Sequence, residues 1–244
     1  MAGPCPVTAL GPFRLVWGVY AWLLLVLVLL IVALPVLTLP TTQQRRRAAQ
    51  LACRAYFRLS GLPAHRIGMH RLPPGPCIVV ANHASYVDGP LLFATLPPRF
   101  GFVIKKEAAA IPLAGSLMRR LGHQFVDRVN RHEGASDARR ILRAVAQGGS
   151  IAFFPEGTFS VQTGLLRFHT GAFVTAARAG VPVVPVAIRG TRRALRARTF
   201  LPRWSRLEVE VLEPIAVTQD SATAASIRDS ARARIATAVG EPLL

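Results

Sequence analysis

The run CIVVANHASYVDG, residues 77–89, passes from a short apolar stretch straight into a polar turn that carries Asn82, His83, Ser85 and Asp88. An apolar run of this length bounded by turn-forming residues reads as a strand. A polar cluster at the carboxyl end of such a strand lies where α/β folds place their active sites. Further β-rich runs follow at Gly101–Ile104, Ser150–Phe154, Val183–Ile188 and Leu207–Leu212, with helical stretches between them. One of these is GASDARRILRAVAQGG, with Ser136 as its expected N-cap and Gly148 as its stop. Another is expected to close the chain, from an N-cap near Ser221 to Val239, with Gly240 just beyond. Strands separated by helices imply an α/β domain with a mixed, largely parallel central sheet flanked by helices. No internal repeat or low-complexity tract interrupts it.

The chain upstream is of a different kind. Val16 to Leu39 is 24 residues without a charge, which as a helix reaches roughly 36 Å, enough for the hydrocarbon core. It is too long for a signal peptide, has only Arg14 before it and no small-residue cleavage site after it, so a retained anchor is expected. Arg45, Arg46, Arg47, Arg54 and Arg58 follow it without an acid among them, which puts the remainder on the cytoplasmic face of the inner or plasma membrane. Pro35 and Pro40 near its end leave open a helix that enters one leaflet without crossing. Residues 45–62 begin as a basic amphipathic helix with Leu51, Ala55 and Leu59 on one stripe. Its periodicity suits an interfacial helix on anionic lipid and a core-facing helix equally, and its place beside the anchor favours the amphipathic interfacial helix. The expected organisation is an anchor over 1–44, the basic helix over 45–62 and a single domain over 63–244.

The 244 residues are 51% hydrophobic and 17% charged, with a mean hydropathy of +0.36. That is too apolar for disorder and too mixed for a bundle of membrane spans. Thirty Lys and Arg against 12 Asp and Glu leave a net charge of +18, and only Lys105 and Lys106 are lysine. Such an excess attracts anionic partners: phospholipid headgroups, an acidic carrier protein or nucleic acid. Three widely spaced cysteines, Cys5, Cys53 and Cys77, support neither a disulfide framework nor a cysteine zinc site.

Within the first cluster, imidazole chemistry allows His83 to take a proton from a hydroxyl, and Asp88 to hold the ring's other nitrogen. The same spacing also occurs in plain strand-to-helix turns. A second cluster, Phe153-Phe154-Pro155-Glu156-Gly157-Thr158, leaves another strand and offers a carboxylate, a hydroxyl and a glycine that lets backbone approach a ligand. A third, Phe125-Val126-Asp127-Arg128, presents Arg128 to a phosphate or to a neighbouring acid. A fourth, Val181-Pro182-Val183-Val184-Pro185-Val186, suits an edge or bulged strand.

Taken together and in order, the four clusters resemble the glycerolipid acyltransferase family typified by 1-acylglycerol-3-phosphate O-acyltransferases. Asn82, His83, Ser85 and Asp88 match its N-H-x-S-x-x-D block. Lys105, Pro112, Gly115, Gly122, Phe125 and Arg128 match the second, Phe154 to Thr158 the third, and the Val-Pro run the fourth. The resemblance implies His83 as general base on a lyso-lipid hydroxyl that attacks the thioester of acyl-CoA or acyl carrier protein, with Asp88 orienting it. It implies Arg128, Glu156, Gly157 and Thr158 on the acceptor's headgroup, and Asn82, Ser85 and Lys105 in support. No metal or bound cofactor is implied. Two positions depart from the pattern: Phe159 stands where Arg is common before Ser160, and His169 where Lys is common after Phe168. Each removes a permanent cation, which directs attention to acceptors other than lysophosphatidic acid, such as lyso-ornithine lipid or lysophosphatidylethanolamine.

Two readings from other classes are weaker. A membrane-tethered polyanion binder is suggested by Arg192, Arg193, Arg196 and Arg198, but aromatic content of 7% is low for base stacking and no DNA-binding motif is present, so no nucleic-acid partner is expected. A metallohydrolase is suggested by His83, Asp88, His123, His132 and His169, which lack close ligand spacing.

Overall fold

A computed structural model of the chain describes residues 11–127, 131–217 and 223–244, without the side chains of residues 131–135. It opens with α1, Pro12–Thr38, a helix of 27 residues with Pro12 in its first turn. The helix passes through Pro35 and stops short of Pro40. Only one stripe of it, Gly18, Ala21, Leu24, Val32 and Val36, is buried. The remaining faces expose large apolar side chains from Phe13 to Leu37, and the mean hydropathy over its most apolar window is 2.9.

A short link leads to α2, Thr42–Leu59, which starts on a capping box: Thr41 Oγ1 accepts from the Gln44 amide at 3.2 Å, and Gln44 Oε1 accepts from the Thr41 amide at 3.4 Å. This helix uses two faces differently. The stripe of Leu51, Ala55 and Leu59 is exposed, whereas Ala49, Gln50 and Phe57 are buried against the domain. Gln50 Nε2 donates to the carbonyls of Phe93 and Leu96, Arg46 Nε to that of Leu121 at 2.8 Å, and Arg54 Nε to that of Ala94 at 2.7 Å. Two of the basic residues are therefore ties into the domain, because a helix C-terminus and loop ends present carbonyls without partners. The apolar stripe is left free.

The domain alternates β1 (Ala64–Ile67), β2 (Ile78–Ala81), α3 (Asp88–Thr95), β3 (Phe100–Lys105), α4 (Ala114–Arg120), β4 (Gln124–Val126), α5 (Arg131–Ala146), β5 (Ser150–Phe153), α6 (Gly171–Ala179), β6 (Val183–Arg189), α7 (Thr191–Ala194), β7 (Leu207–Val211) and α8 (Ala224–Val239). The sheet is ordered β1-β7-β6-β2-β5-β3-β4, parallel throughout except between β6 and β7. It is thus the mixed, largely parallel sheet expected. Period-two alternation sends Val79 and Ala81 to the face covered by α1, α2 and α3, and Ile78 and Val80 to the face covered by α5, α6 and α8. Both faces are buried, so the strands read as unbroken apolar runs.

Three expectations change. Ser136 does not cap α5, which begins five residues earlier at Arg131; Gly134 weakens that first turn without ending it. Ser221 lies outside the described residues, and α8 is capped by Thr223, whose hydroxyl accepts from the Ser226 amide. The fourth cluster is not an edge: β6 lies between β7 and β2. It is bulged, since the pairing shifts by one residue between Val183↔Ile215 and Val186↔Val211. Pro185, which has no N–H, sits where the partner chain bulges, so an internal strand tolerates it.

Candidate active site

Because β6, β2, β5, β3 and β4 run parallel, their carboxyl ends form one crest. The turn after β2, the turn after β5, Lys105 at the end of β3 and Asp127 beyond β4 all lie along it. Arg128 lies outside the described residues. Lys105 is exposed on this crest, two strands from His83, and the structure does not bring the two into contact.

The turn after β2 folds on its own carboxylate. Asp88, fully buried at the start of α3, receives three donors on one oxygen: the Ala84 amide at 2.6 Å, the Ser85 amide at 2.7 Å and His83 Nδ1 at 2.8 Å from Oδ2. An oxygen that accepts two backbone N–H groups fixes the third partner as a donor too. The proton of a neutral His83 is thereby assigned to Nδ1, and Nε2 keeps its lone pair. Asn82 clamps the turn to β6: its Nδ2 donates to the Ile188 carbonyl at 2.9 Å, and its Oδ1 accepts from the Ile188 amide at 2.7 Å. Ser85 Oγ accepts from the Val87 amide and donates to the Leu195 carbonyl at 2.7 Å.

The turn after β5 sends its carboxylate sideways. Glu156 Oε1 accepts from the His83 amide at 2.6 Å, and its Oε2 from the Leu166 amide at 2.8 Å. The side chain is 4% exposed. Burial pushes its pKa up to about 7, against the pull of those two amides and of His83, while the nearby Asp88 adds to the rise. Gly157 takes a positive φ of 74° and donates its amide to the Phe154 carbonyl, a conformation that suits glycine alone in so tight a turn. Thr158 is exposed beside it.

Aromatic side chains that the sequence reading left out of the site form its walls. The Phe154 ring stacks on the His83 ring with centroids 4.4 Å apart, and Phe159 meets it edge-on at 4.7 Å. Tyr86, 65% exposed, packs edge-on against Phe159 at 4.7 Å. The position that departs from the family pattern thus lies directly beside the imidazole, although residue type alone did not show where its ring would point. His169 is exposed and donates its amide to the Pro155 carbonyl, and Arg167 is also exposed.

Other titratable groups have structural partners. His123 accepts from the Phe102 amide through Nδ1, and burial, assisted by Arg46, lowers its pKa to about 3. It is a neutral core histidine. Among the described residues no group of three His, Cys, Asp or Glu side chains is gathered as a metal site would require. A cavity of about 560 Å³ lies away from His83, between α1, α2 and α4, where Arg45, Arg119 and Arg120 line it.

Known proteins resemble this chain in sequence and in fold. The sequence model of the family described as Acyltransferase matches residues 65–189, which include both turns. A protein named 1-acyl-sn-glycerol-3-phosphate acyltransferase in Chlamydomonas reinhardtii is 34% identical over 198 residues, covering 78% of this chain and 59% of that one. One of the same name from Haemophilus influenzae is 34% identical over 157 residues, 63% of this chain and 64% of that one. A lyso-ornithine lipid O-acyltransferase of Pseudomonas aeruginosa is 40% identical over 120 residues, 48% of this chain and 44% of that one. The chain therefore spans from under half to just under two thirds of the length of these curated relatives. The crystal structure of a 1-acyl-sn-glycerophosphate acyltransferase from Thermotoga maritima superimposes with a TM-score of 0.78 over 93% of this chain and 95% of that one, at 21% identity, which shows a shared fold.

Proposed function

The chain belongs to the acyltransferase family, and from that membership and the His83–Asp88 pair we propose that it moves a fatty acyl group from a thioester donor to the free hydroxyl of a lyso-glycerophospholipid. The observation that carries this reading is the convergence on Asp88 Oδ2, which holds His83 with Nδ1 as donor and Nε2 free to accept. In the proposed reaction, Nε2 takes the proton of the acceptor hydroxyl as its oxygen attacks the thioester carbonyl. The C–S bond then breaks, the thiolate leaves and takes up the proton, and no acyl-enzyme forms. The donor is acyl-CoA or acyl carrier protein, and no resident cofactor takes part.

Glu156 is assigned to positioning rather than to the headgroup. Both its oxygens are engaged by amides, and the His83 amide is one of them. Thr158 and Gly157, with Arg128, remain the headgroup contacts proposed on this side. The acceptor proposed first is 1-acyl-sn-glycerol-3-phosphate, giving phosphatidic acid for phospholipid synthesis. Phe159 beside His83, and the similarity to an enzyme named for lyso-ornithine lipid, favour as second reading a lyso-lipid whose headgroup is not a phosphate monoester.

Membrane association belongs to the same proposal. Near its start α1 donates from Trp17 Nε1 to the Ser60 carbonyl and from Tyr20 Oη to that of Leu59. Near its end the Leu37 carbonyl accepts from Arg120, and that of Leu39 from Arg45. Both ends of a helix about 40 Å long therefore touch the same body, which supports a helix lying in the near leaflet with its outer face in lipid over one that crosses. The basic flank after α1 supports the cytoplasmic side.

The test is acyl transfer by the full chain in vesicles, with labelled acyl-CoA or acyl carrier protein and a panel of lyso-lipids, against His83→Ala. A His83-dependent product identifies the acceptor; turnover that survives in His83→Ala, or no product from any acceptor, contradicts the proposal.

A further inference from the structure

Between β6 and β7 the chain makes α7 and then runs without regular structure to Arg206. One side of this segment is tied down at three places. The Leu195 carbonyl accepts from Ser85 Oγ in the His83 turn. The Phe200 carbonyl accepts from Trp22 Nε1 of α1 at 2.7 Å, and Trp204 Nε1 donates to the Gly61 carbonyl beyond α2 at 2.9 Å. Leu201 packs so closely on Gly18 of α1 that a Cβ there would come within 2.3 Å of its side chain. The segment is a strap that joins the His83 turn to both N-terminal helices.

Its other side is open and chemically two-fold. Phe200 is 84% exposed and Trp204 66%. Arg193, Arg196, Arg198 and Arg203 are exposed as well, and among the described residues their side chains make no hydrogen bond or ion pair. Partial desolvation, then the charges of Arg14, Arg196 and Arg193, lower the pKa of Arg203, and no acidic group offsets them. Arg14 itself has a buried Nε without a partner among the described residues. The clustered arginines repel one another, and the exposed aromatic rings leave apolar surface in water. An anionic bilayer surface suits both, because guanidinium binds phosphate oxygens and Phe or Trp rings settle at headgroup depth. The strap covers the buried stripe of α1 at Gly18 and meets its exposed, lipid-facing side at Trp22.

We propose that the strap from Arg193 to Trp204 is a second membrane-docking element, which binds anionic phospholipid headgroups through Arg193, Arg196, Arg203 and Arg14 and seats Phe200 and Trp204 beside α1. Through Leu195 and Ser85 it holds the His83 turn at the bilayer surface, where lyso-lipid resides. The inference rests on α1 entering the membrane. Arginines alone would also suit an acidic carrier protein, but such a partner gives no use to aromatic rings that adjoin the lipid-facing helix.

The test uses the full chain in vesicles of phosphatidylcholine, with or without about a third phosphatidylglycerol, that carry brominated acyl chains. Subtracting the fluorescence of Trp204→Phe isolates Trp204, and Phe200→Trp in that background gives a second reporter. We expect both positions to be quenched in anionic vesicles and less so in neutral ones. Replacing Arg193, Arg196 and Arg203 by Gln should weaken strap docking by roughly five-fold per arginine while Trp17 and Trp22 stay quenched. Trp204 left unquenched in both vesicles, with Trp17 and Trp22 quenched, overturns the strap proposal and leaves α1 in the membrane. If none is quenched, both fall. Shielding of Trp204 only by an added acidic carrier protein overturns the lipid assignment.

Discussion

Two turns leave the sheet side by side, Asn82–Val87 from β2 and Phe154–Phe159 from β5, and each leads to one buried carboxylate. In sequence they look alike: an apolar strand, then polar residues with an acid among them. In the fold they work in opposite directions. Asp88 gathers the amides and imidazole of its own turn onto one oxygen, whereas Glu156 spans the gap and grips the amides of His83 and Leu166. A carboxylate that bonds within its turn can set the state of a neighbouring side chain. One that bonds across turns sets where that neighbour stands. The account therefore assigns proton-transfer chemistry to the first turn and the geometry it depends on to the second.

Three substitutions test that contrast. The largest effect is expected from Asp88→Asn. Its amide oxygen can take the place of Oδ2 and keep all three donors, but the negative charge that stabilises the imidazolium during proton transfer is lost. We expect kcat to fall by about 10³–10⁴-fold with the fold intact, a loss measured by steady-state acyl transfer.

Glu156→Gln comes next. The two amides bind different oxygens of Glu156, so in glutamine one of them keeps an oxygen and the other buried N–H faces an NH₂ group, at a cost of about 1–3 kcal/mol. A small displacement of His83 should lower kcat by roughly 10- to 100-fold and leave the acceptor KM unchanged. A raised acceptor KM with unchanged kcat would return Glu156 to the headgroup. The pH dependence separates the two roles further. Burial raises the folded-state pKa of Glu156 from its ordinary value of 4.5 to about 7, so the native chain holds that proton more tightly than the unfolded chain. Its contribution to stability is full below the lower value and is lost as pH rises through the upper one. Melting temperature followed across that window should decline for the wild type from this group and lose that component in Glu156→Gln.

The smallest effect is expected from Phe159→Arg. It restores a cation beside His83 in a partly exposed position, where solvent screens much of its gain. Competition between lysophosphatidic acid and lysophosphatidylethanolamine should shift a few-fold towards the phosphate monoester. No shift would place the headgroup away from Phe159.

The His83–Asp88 pair was legible because it is local: both residues sit in one turn at the exit of an unmistakable strand. The same holds for the α/β class, which rests on long apolar runs buried on both faces. The function of Glu156 was not legible, since its partner amide lies 73 residues away and an amide has no sequence signature. The ties made by Arg46 and Arg54 carry no sequence signal for the same reason, their partners being backbone carbonyls of distant segments. The strand β1 escaped notice because three of its four residues are exposed, and β4 because it has three residues in all. The prolines of β6 suit an edge or a bulge; the structure has the bulge, and it belongs to the partner segment near Ile215.

The central claim is that Asp88 fixes the imidazole with its proton on Nδ1 and its free electron pair on Nε2. The most direct measurement is ¹⁵N NMR of the full chain with labelled histidine, with the His83 signals identified by their absence in His83→Gln and followed across pH. Neutral His83 should be protonated at Nδ1 in the wild type. A neutral wild-type ring protonated at Nε2 would contradict it.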